Sequence, residues 1–531
     1  MDDRTGPAVG RRLAAHLSEF SGVVSHFARK TPDAAAMVFG ERRFNYAGLE
    51  ELVERCADAM ATAGVRPGDR VATLSTPRPE FLVTLLAALR VGGIWVGLNP
   101  RYTAREIGYI LGNCRPALFL ALLEYLPEET LKSAGMPDRI VGLGDATDPS
   151  VESFDSFLDS GTASKRRPEV SVSRRDPALL VYTSGTTGRP KGAVLPHASF
   201  FHCYRAVLES FIGKEALRAN SRMICNLPVN HIGCISEICG NTLLDGGTLV
   251  FMEKFDPARM PEVIENERVT IIGGVPAMLQ ILFEHPAMRG RDFSSLRVIT
   301  WGGAALPRHL AEALAAMNLH LFTNYGLTEG GSVNTATAPD ADLAELTETV
   351  GRPDHDHDYR IVTADGDPVR VGESGEIQIR GEGVMLEYFN NPSATAAAFT
   401  KDGFLKTGDL AELLPDGRWR LVGRLSEMFK SGGYNVYPRE VEAVLEAHPD
   451  VALAAVIGVP DRLFDEVGVA FVLPAPDAAP LEDELKAHCR RHLANYKIPK
   501  RFHVRRDLPL LPIGKLDKKA LKASALEQDG S

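Results

Sequence analysis

No apolar run in this sequence is long enough to cross a membrane. The longest, FLVTLLAALRVGGIWVGLNP from Phe81, is broken by Arg90 and a glycine pair, so it reads as a helix, a turn and a buried strand. Lys and Arg nowhere form a block, and the net charge is −10, which disfavours nucleic acid or an anionic membrane surface as partner. The first residues, MDDRTGPAVGRRLAAHL, are acidic and lack an apolar core, which argues against a secretory signal. None of the seven cysteines (Cys56, Cys114, Cys203, Cys225, Cys234, Cys239, Cys489) forms a CxxC pair. They are expected to be reduced, core-filling thiols of a cytoplasmic protein. Repeats of fixed period are absent, and the polar tail ALEQDGS is the one biased tract.

What is there is an ordinary globular composition, 44% hydrophobic and 24% charged, over 531 residues. That length exceeds what one hydrophobic core sustains, so more than one domain is expected. From about residue 34 to 330, short apolar runs such as AAAMVFG, RVATLS, ALLVYTS, TLVFME, VTIIGGVP, LRVITWGG and HLFTNYG alternate with helical patterns. This predicts an α/β fold of βα units around largely parallel sheets. After residue 350, DYRIVTADGDPV, GEIQIRG and ELLPDGRWRLVG read as hairpins turned by Asp-Gly, a small β-rich subdomain. Beyond Arg424 the helices PREVEAVLEA and LEDELKAHCRRHLA flank the strands VALAAVIGVP and GVAFVLP, a compact α+β pattern. The predicted division is therefore 1–424 and 425–531.

The stretch YTSGTTGRPKG, residues 182–192, gathers glycines and hydroxyls about one lysine. Gly185, Gly188 and Gly192 allow positive φ and close backbone approach, Thr183, Ser184, Thr186 and Thr187 add donors, and Lys191 adds charge, an inventory suited to a phosphate chain. It is not a Walker A loop, because Pro190 precedes the lysine and Gly192 follows it, and the loop joins two strands. A surface Gly/Thr turn with no ligand is the plain alternative.

Further motifs follow in order: NLPVNHIG around His231, WGGAALP from Trp301, NYGLTE from Asn324, KTGDL from Lys406, GRLSEMFKSGGYNVYPREVE from Gly423 and LPLLPIGKLDKKAL from Leu508. Together with the loop they resemble the acyl-adenylating superfamily across nearly the whole chain, in its branch of AMP-forming acid–CoA ligases. The resemblance implies that a carboxylate displaces pyrophosphate from ATP to give an acyl-adenylate, which a CoA thiol then attacks. It implies ATP, Mg²⁺ and coenzyme A, with Glu329 as the magnesium ligand. Tyr325 would face adenine, with Gly302, Gly303 and Ala304 on the purine's other side and Asn324, Gly326 and Thr328 completing the nucleotide site. Asp409 would hold the ribose hydroxyls, with a turn-capping aspartate as the alternative, and Arg424 would reach the ribose or α-phosphate. Lys515 would bridge the acid and the α-phosphate in the adenylation transition state, and His231 would help order the acyl pocket.

The resemblance further implies a mobile C-terminal domain that rotates after adenylation, withdrawing Lys515 and bringing Gly432 and Gly433 to line a pantetheine tunnel. Two positions depart from the family: Ser426, with Glu427 after it, stands where the pivot is usually Asp or Lys, and Asn230 precedes His231 where an apolar residue is common. The chain's end soon after Lys515 favours free CoA as acceptor over a carrier protein, although a stand-alone ligase loading a separate carrier and a non-catalytic nucleotide-binding regulator stay open. The acid is expected to be an apolar monocarboxylic acid, aliphatic or aromatic, its pocket walled by NHIGCISEICG, by the strand before WGGAALP and by residues after Glu329, with Glu237 in the first segment not separating the acid classes. Oligomeric state is open, a homodimer being compatible. The run DHDHD, Asp354–Asp358, reads as a solvated turn before the strand at Tyr359, metal binding being the lesser alternative.

Overall fold

The structure is a computed structural model of the chain. It describes all residues except 1–5, 132–138, 145–147, 149, 163–166, 168–169, 184–189, 476–477, 510–515 and 530–531.

Four sheets organise the described residues. A nine-stranded sheet runs Arg352–Pro353, Ser332–Ala336, His320–Leu327, Val298–Gly302, Ile271–Gly274, Arg222–Cys225, Thr248–Phe251, Ala35–Phe39, Arg42–Asn45. Its interior pairs are parallel and its edges antiparallel. An eight-stranded sheet runs Glu387–Tyr388, Lys191–Pro196, Pro177–Thr183, Ile94–Leu98, Arg70–Leu74, Leu118–Leu122, Ile140–Leu143, Glu152–Ser153, antiparallel only at its first two pairs. The βα reading is thus borne out.

Two helices illustrate why the sheets stay covered. In Tyr46–Thr62, Leu49, Val53, Cys56 and Met60 recur at three-and-four spacing and are fully buried. Asn45 caps its start by accepting from the Gly48 amide at 2.8 Å, and Gly64 at φ 89° follows its end. Helix Pro79–Arg90 is apolar nearly all round, and every residue before Arg90 is buried.

The third sheet is an antiparallel meander of Asp358–Val362, Ser374–Arg380, Leu405–Leu413 and Trp419–Arg424, as the Asp-Gly turns predict. The fourth holds Tyr434–Val436, Phe429–Ser431, Asp465–Pro474 and Val451–Asp461, with Arg501–Val504 parallel to Asp465–Pro474. Strand alternation gives this last sheet two apolar faces. Ala454, Val456, Ala470 and Val472 pack with Val441 and Leu445 of helix Pro438–Glu446 and Leu485 of helix Glu482–His492. Ala455, Ile457, Val459, Val469 and Phe471 pack with Leu521 and Ala525 of helix Lys518–Asp529. At the start of that helix the Lys518 ammonium sits 2.6 Å from Glu427, three residues after Arg424, and 2.8 Å from Glu442 of helix Pro438–Glu446.

Candidate active site

Strands Pro177–Thr183 and Lys191–Pro196 form an antiparallel hairpin, so Thr183 and Lys191 stand opposite each other at the roots of the glycine loop. Ser184, Gly185, Thr186, Thr187 and Gly188 lie outside the described residues. Neighbouring tyrosines fix the roots: Tyr182 donates to Asn113 Oδ1 at 2.6 Å, and Tyr109 donates to the Pro190 carbonyl at 3.1 Å.

At that same point stands Glu329. Its Oε1 accepts the hydroxyls of Thr183 at 2.9 Å and Tyr388 at 3.0 Å, and the Lys191 ammonium lies 5.2 Å from the centre of the Tyr388 ring. Burial, then the Glu329 carboxylate, push the Tyr388 phenol up from its ordinary value, so it stays a donor. The Glu329 carbonyl accepts the Met385 amide at 2.9 Å. Two residues on, Gly331 adopts φ 84°, and a Cβ there would come within 2.2 Å of the Gly383 carbonyl oxygen, so the turn after Glu329 admits only glycine. Tyr388 is a site residue that sequence reasoning missed. Its signal was weak, an aromatic in LEYFNN, and only its pairing with Ala193 at the sheet edge brings it to the loop.

A second cluster lies at Tyr325, on the strand that leads into Glu329. Its hydroxyl donates to Asp409 Oδ2 at 2.8 Å, and Arg424 Nε is 2.9 Å from Asp409 Oδ1. Asp409 and Arg424 are register partners on adjacent antiparallel strands, which is why residues so far apart in sequence meet. Asp409 is the main reason the Arg424 guanidinium is pushed up, while burial and then Asp409 push the Tyr325 phenol well up. Gly302 pairs with Asn324, and a Cβ on Gly302 would lie 2.9 Å from Asn324 Oδ1. Gly303 has φ 81°, and Gly303 and Ala304 are exposed. Gly326 is required by packing, since its Cβ would fall 2.0 Å from the Ser332 carbonyl oxygen. Thr328 is buried, and its carbonyl accepts the Gly331 amide at 3.1 Å.

His231 precedes a π-helix, Gly233–Gly240, and its Nδ1 accepts the Gly233 amide at 3.2 Å. Asn230 donates to the Tyr102 hydroxyl at 2.8 Å, which accounts for a polar residue at that position. Glu237, on the same helix, accepts the Ser332 hydroxyl at 3.1 Å and so touches the strand that follows the Glu329 turn.

In the C-terminal sheet, Gly432 and Gly433, φ 58° and 86°, form the two-residue turn between Ser431 and Tyr434. Positive φ at both positions is what such a hairpin demands, so turn geometry alone accounts for these glycines. The Gly432 amide donates at 2.8 Å to the carbonyl of Phe464, in the turn between strands Val451–Asp461 and Asp465–Pro474. Lys515 lies outside the described residues. After Arg424, the amides of Glu427 and Met428 both return to the Arg424 carbonyl at 3.1 Å, so Ser426 stands in a turn.

One expectation needs correction. DHDHD is not a solvated turn, because Asp354 and His357 are buried. The His357 ring stacks on His202 with centroids 3.5 Å apart, and its Nε2 accepts the Gly383 amide at 3.0 Å. His202 Nε2 donates to the Val333 carbonyl at 2.8 Å, and Asp354 holds the Tyr359 hydroxyl. Alternation of polar residues gave no hint that the Gly383 segment and a buried histidine on helix Ala198–Leu208 would close over them.

Residues 24–389 match the AMP-binding enzyme family, and residues 440–515 match the AMP-binding enzyme C-terminal domain. The chain is 37% identical over 490 residues to a feruloyl-CoA synthase from Amycolatopsis sp, covering 92% of this chain and 95% of that one. It is 34% identical over 501 residues to an indoleacetate–CoA ligase from Aromatoleum aromaticum, covering 94% and 97%. Among solved structures, ATP-bound MatB from Rhodopseudomonas palustris superposes with a TM-score of 0.82 at 27% identity, covering 96% of this chain and 99% of that one. This chain belongs to the AMP-binding enzyme family, in the acid–CoA ligase branch of the acyl-adenylating superfamily. The described residues contain no helix long and apolar enough to cross a membrane.

Proposed function

We propose that this AMP-forming acid–CoA ligase activates a monocarboxylic acid with an apolar, aryl-bearing body and passes the acyl group to free CoA. The observation that carries the reading is the convergence of Thr183 and Tyr388 on Glu329 at the mouth of the glycine loop, with Lys191 over the Tyr388 ring. The relatives named for feruloyl and indoleacetate substrates favour an aromatic acid.

In this reading residues 1–424 bind ATP and the acid, and residues 425–531 form the lid. The loop 183–191 grips the triphosphate through amides and hydroxyls, with Lys191 adding charge. A carboxylate oxygen is the hard donor that Mg²⁺ accepts, and among the described residues the Thr183 and Tyr388 hydroxyls both bond to Oε1 of Glu329, a donor group that fits the ion. Mg²⁺ bound there supplies charge neutralisation to the phosphates. Tyr325 stacks on adenine with Gly302, Gly303 and Ala304 opposite, and Asn324, Gly326 and Thr328 complete that wall. Asp409, already oriented by Tyr325 and Arg424, takes the ribose hydroxyls through its remaining acceptor capacity.

Two anions must meet for adenylation, the acid carboxylate and the α-phosphate. Lys515 reaches both and stabilises the charge that develops between them. The carboxylate oxygen bonds to the α-phosphorus as the bond to pyrophosphate breaks. Rotation of the lid then exchanges Lys515 for the Gly432–Gly433 turn, and the CoA sulfur attacks the acyl carbonyl as AMP leaves. His231 and Glu237 border the acid.

A panel of aryl and aliphatic acids with ATP, Mg²⁺ and CoA, scored for pyrophosphate, AMP and thioester, tests this directly. Thioester formation with aryl acids is expected. Adenylate that accumulates with CoA but discharges onto a carrier protein would overturn the choice of acceptor.

A further inference from the structure

Glu329 leads into a strained turn. Gly331 adopts φ 84° and Ser332 φ 91°, and a non-glycine residue in that left-handed region persists only where its surroundings over-determine it. The hold comes from two buried histidines that belong to different elements.

His202 lies on helix Ala198–Leu208, and its Nε2 donates to the carbonyl of Val333, the residue after Ser332, at 2.8 Å. Asn334, with Nδ2 3.3 Å from the same nitrogen, donates to the Gly330 carbonyl at 2.9 Å. The strained pair is thereby bound on both sides. His357, whose ring stacks on His202 with centroids 3.5 Å apart, takes the neighbouring segment: its Nε2 accepts the Gly383 amide at 3.0 Å. From there the Gly383 carbonyl bars a side chain from Gly331, the Met385 amide reaches the Glu329 carbonyl at 2.9 Å, and the Tyr388 hydroxyl ends on Glu329 Oε1.

Glycines fit this segment to the rings. A Cβ on Gly381 would overlap the His357 ring, and one on Gly383 would lie 2.8 Å from the His202 Cβ. Imidazole is also a costly choice here, because each ring leaves its Nδ1 without a hydrogen-bond partner among the described residues. An apolar pair would fill the same space without that loss. It could not give a donor to Val333 and an acceptor to Gly383, so two neutral imidazoles of opposite tautomer meet a need that packing does not.

We propose that His202 and His357 are a stacked pair of positioning residues for the adenylation step. His202 fixes the strained turn after Glu329, His357 fixes the segment that brings Met385 and Tyr388 to it, and together they set the Glu329 carboxylate against the root of the glycine loop. Both act through Glu329, so the role rests on the reading of Glu329 as the magnesium ligand.

The test uses the full-length chain. His357→Gln keeps an acceptor that reaches the Gly383 amide, whereas His357→Phe keeps an aromatic ring and loses the acceptor; His202→Phe likewise loses the donor to Val333. Hydrogen exchange, followed by mass spectrometry without metal or nucleotide, is expected to quicken roughly three- to tenfold across residues 383–388 in His357→Phe and across 329–334 in His202→Phe, and to stay near wild type in His357→Gln. The Mg²⁺ concentration for half-maximal pyrophosphate release should rise by a similar factor in His357→Phe and His202→Phe, with the KM for the acid unmoved. The idea fails if His357→Gln is as impaired as His357→Phe, or if exchange keeps its wild-type rate in His357→Phe or in His202→Phe. Should His357→Phe or His202→Phe not fold, His357→Asn, whose acceptor falls short of Gly383, or His202→Ala supplies the same comparison. Glu329→Gln separates this failure from that of the reading beneath it: an unmoved Mg²⁺ dependence there removes the ligand, while the metal-free exchange still judges the histidines.

Discussion

The hydroxyl of Thr183 donates to the carboxylate of Glu329 at 2.9 Å across 146 residues of chain, joining the edge region of one sheet to the turn that leaves another. Tyr388 closes the same carboxylate from a third segment. The root of the proposed phosphate loop and the proposed metal ligand are thereby held together before any nucleotide arrives, so binding would not need to assemble them.

Removing the tyrosine hydroxyl should loosen this arrangement without dismantling it. Tyr388→Phe is expected to raise the Mg²⁺ concentration for half-maximal pyrophosphate release by roughly three- to tenfold, the cost of about one charge-assisted hydrogen bond. Glu329→Gln should be far more severe in the same titration. Equal effects of the two changes would remove Glu329 from the role of ligand.

Asp409→Asn keeps shape but weakens the pairing with Arg424, 2.9 Å away. The KM for ATP is expected to rise about ten- to a hundredfold, with the KM for CoA unmoved. Initial rates with each substrate varied in turn check this, and a selective rise in the CoA value would contradict it.

Lys515→Ala should slow adenylation on the order of 10²- to 10³-fold while sparing thioester formation from a supplied acyl-adenylate. Single-turnover assays of the two half-reactions separate the outcomes. Parallel loss in both would refute the division of labour within the lid.

Acid should destabilise the fold through its buried imidazoles. Burial holds His197 and His202 down at about 4 and His357 at about 3, against about 6.5 in an unfolded chain. Between those values the unfolded state binds protons that the native state refuses, so stability is full above about pH 6.5 and falls as pH drops towards 4. Each imidazole contributes a slope of about 1.4 kcal/mol per pH unit in that window. Urea unfolding from pH 7 to 4.5 measures it, and His357→Asn should give a visibly shallower slope than wild type.

The Gly432–Gly433 turn separates two reasons for glycine. Gly433→Ala forces a side chain into φ 86°, but no atom lies within 4 Å of the added Cβ, so only about 1 to 2 kcal/mol of local strain is expected. If the turn also lines a thiol tunnel, thioester formation falls further than the melting temperature does, and adenylation stays intact.

Much of this was legible in the chain because its strands and helices are locally marked. Apolar runs such as ALLVYTS and TLVFME fell where the strands Pro177–Thr183 and Thr248–Phe251 stand, and the Asp-Gly turns placed the meander. The motif residues that meet, Thr183 with Glu329 and Tyr325 with Asp409, were readable as parts but not as contacts. Tyr388 and the His202–His357 stack escaped for one reason. The first depends on register at a sheet edge and the second on helix Ala198–Leu208 packing over the segment before Tyr359, and neither leaves a periodic trace in sequence.

The sheet built from residues 429–504 keeps grease on both sides under helices Pro438–Glu446, Glu482–His492 and Lys518–Asp529 of the same C-terminal stretch. In the proposed rotation such a unit would pivot as a solid piece without wetting an interior, and one of the contacts to be released or kept at its root is the Leu425 amide resting on the Gly408 carbonyl at 2.8 Å. For the proposed two-step ligase, the sheet's self-contained packing would let two different faces take turns at one reaction centre at no cost to the core.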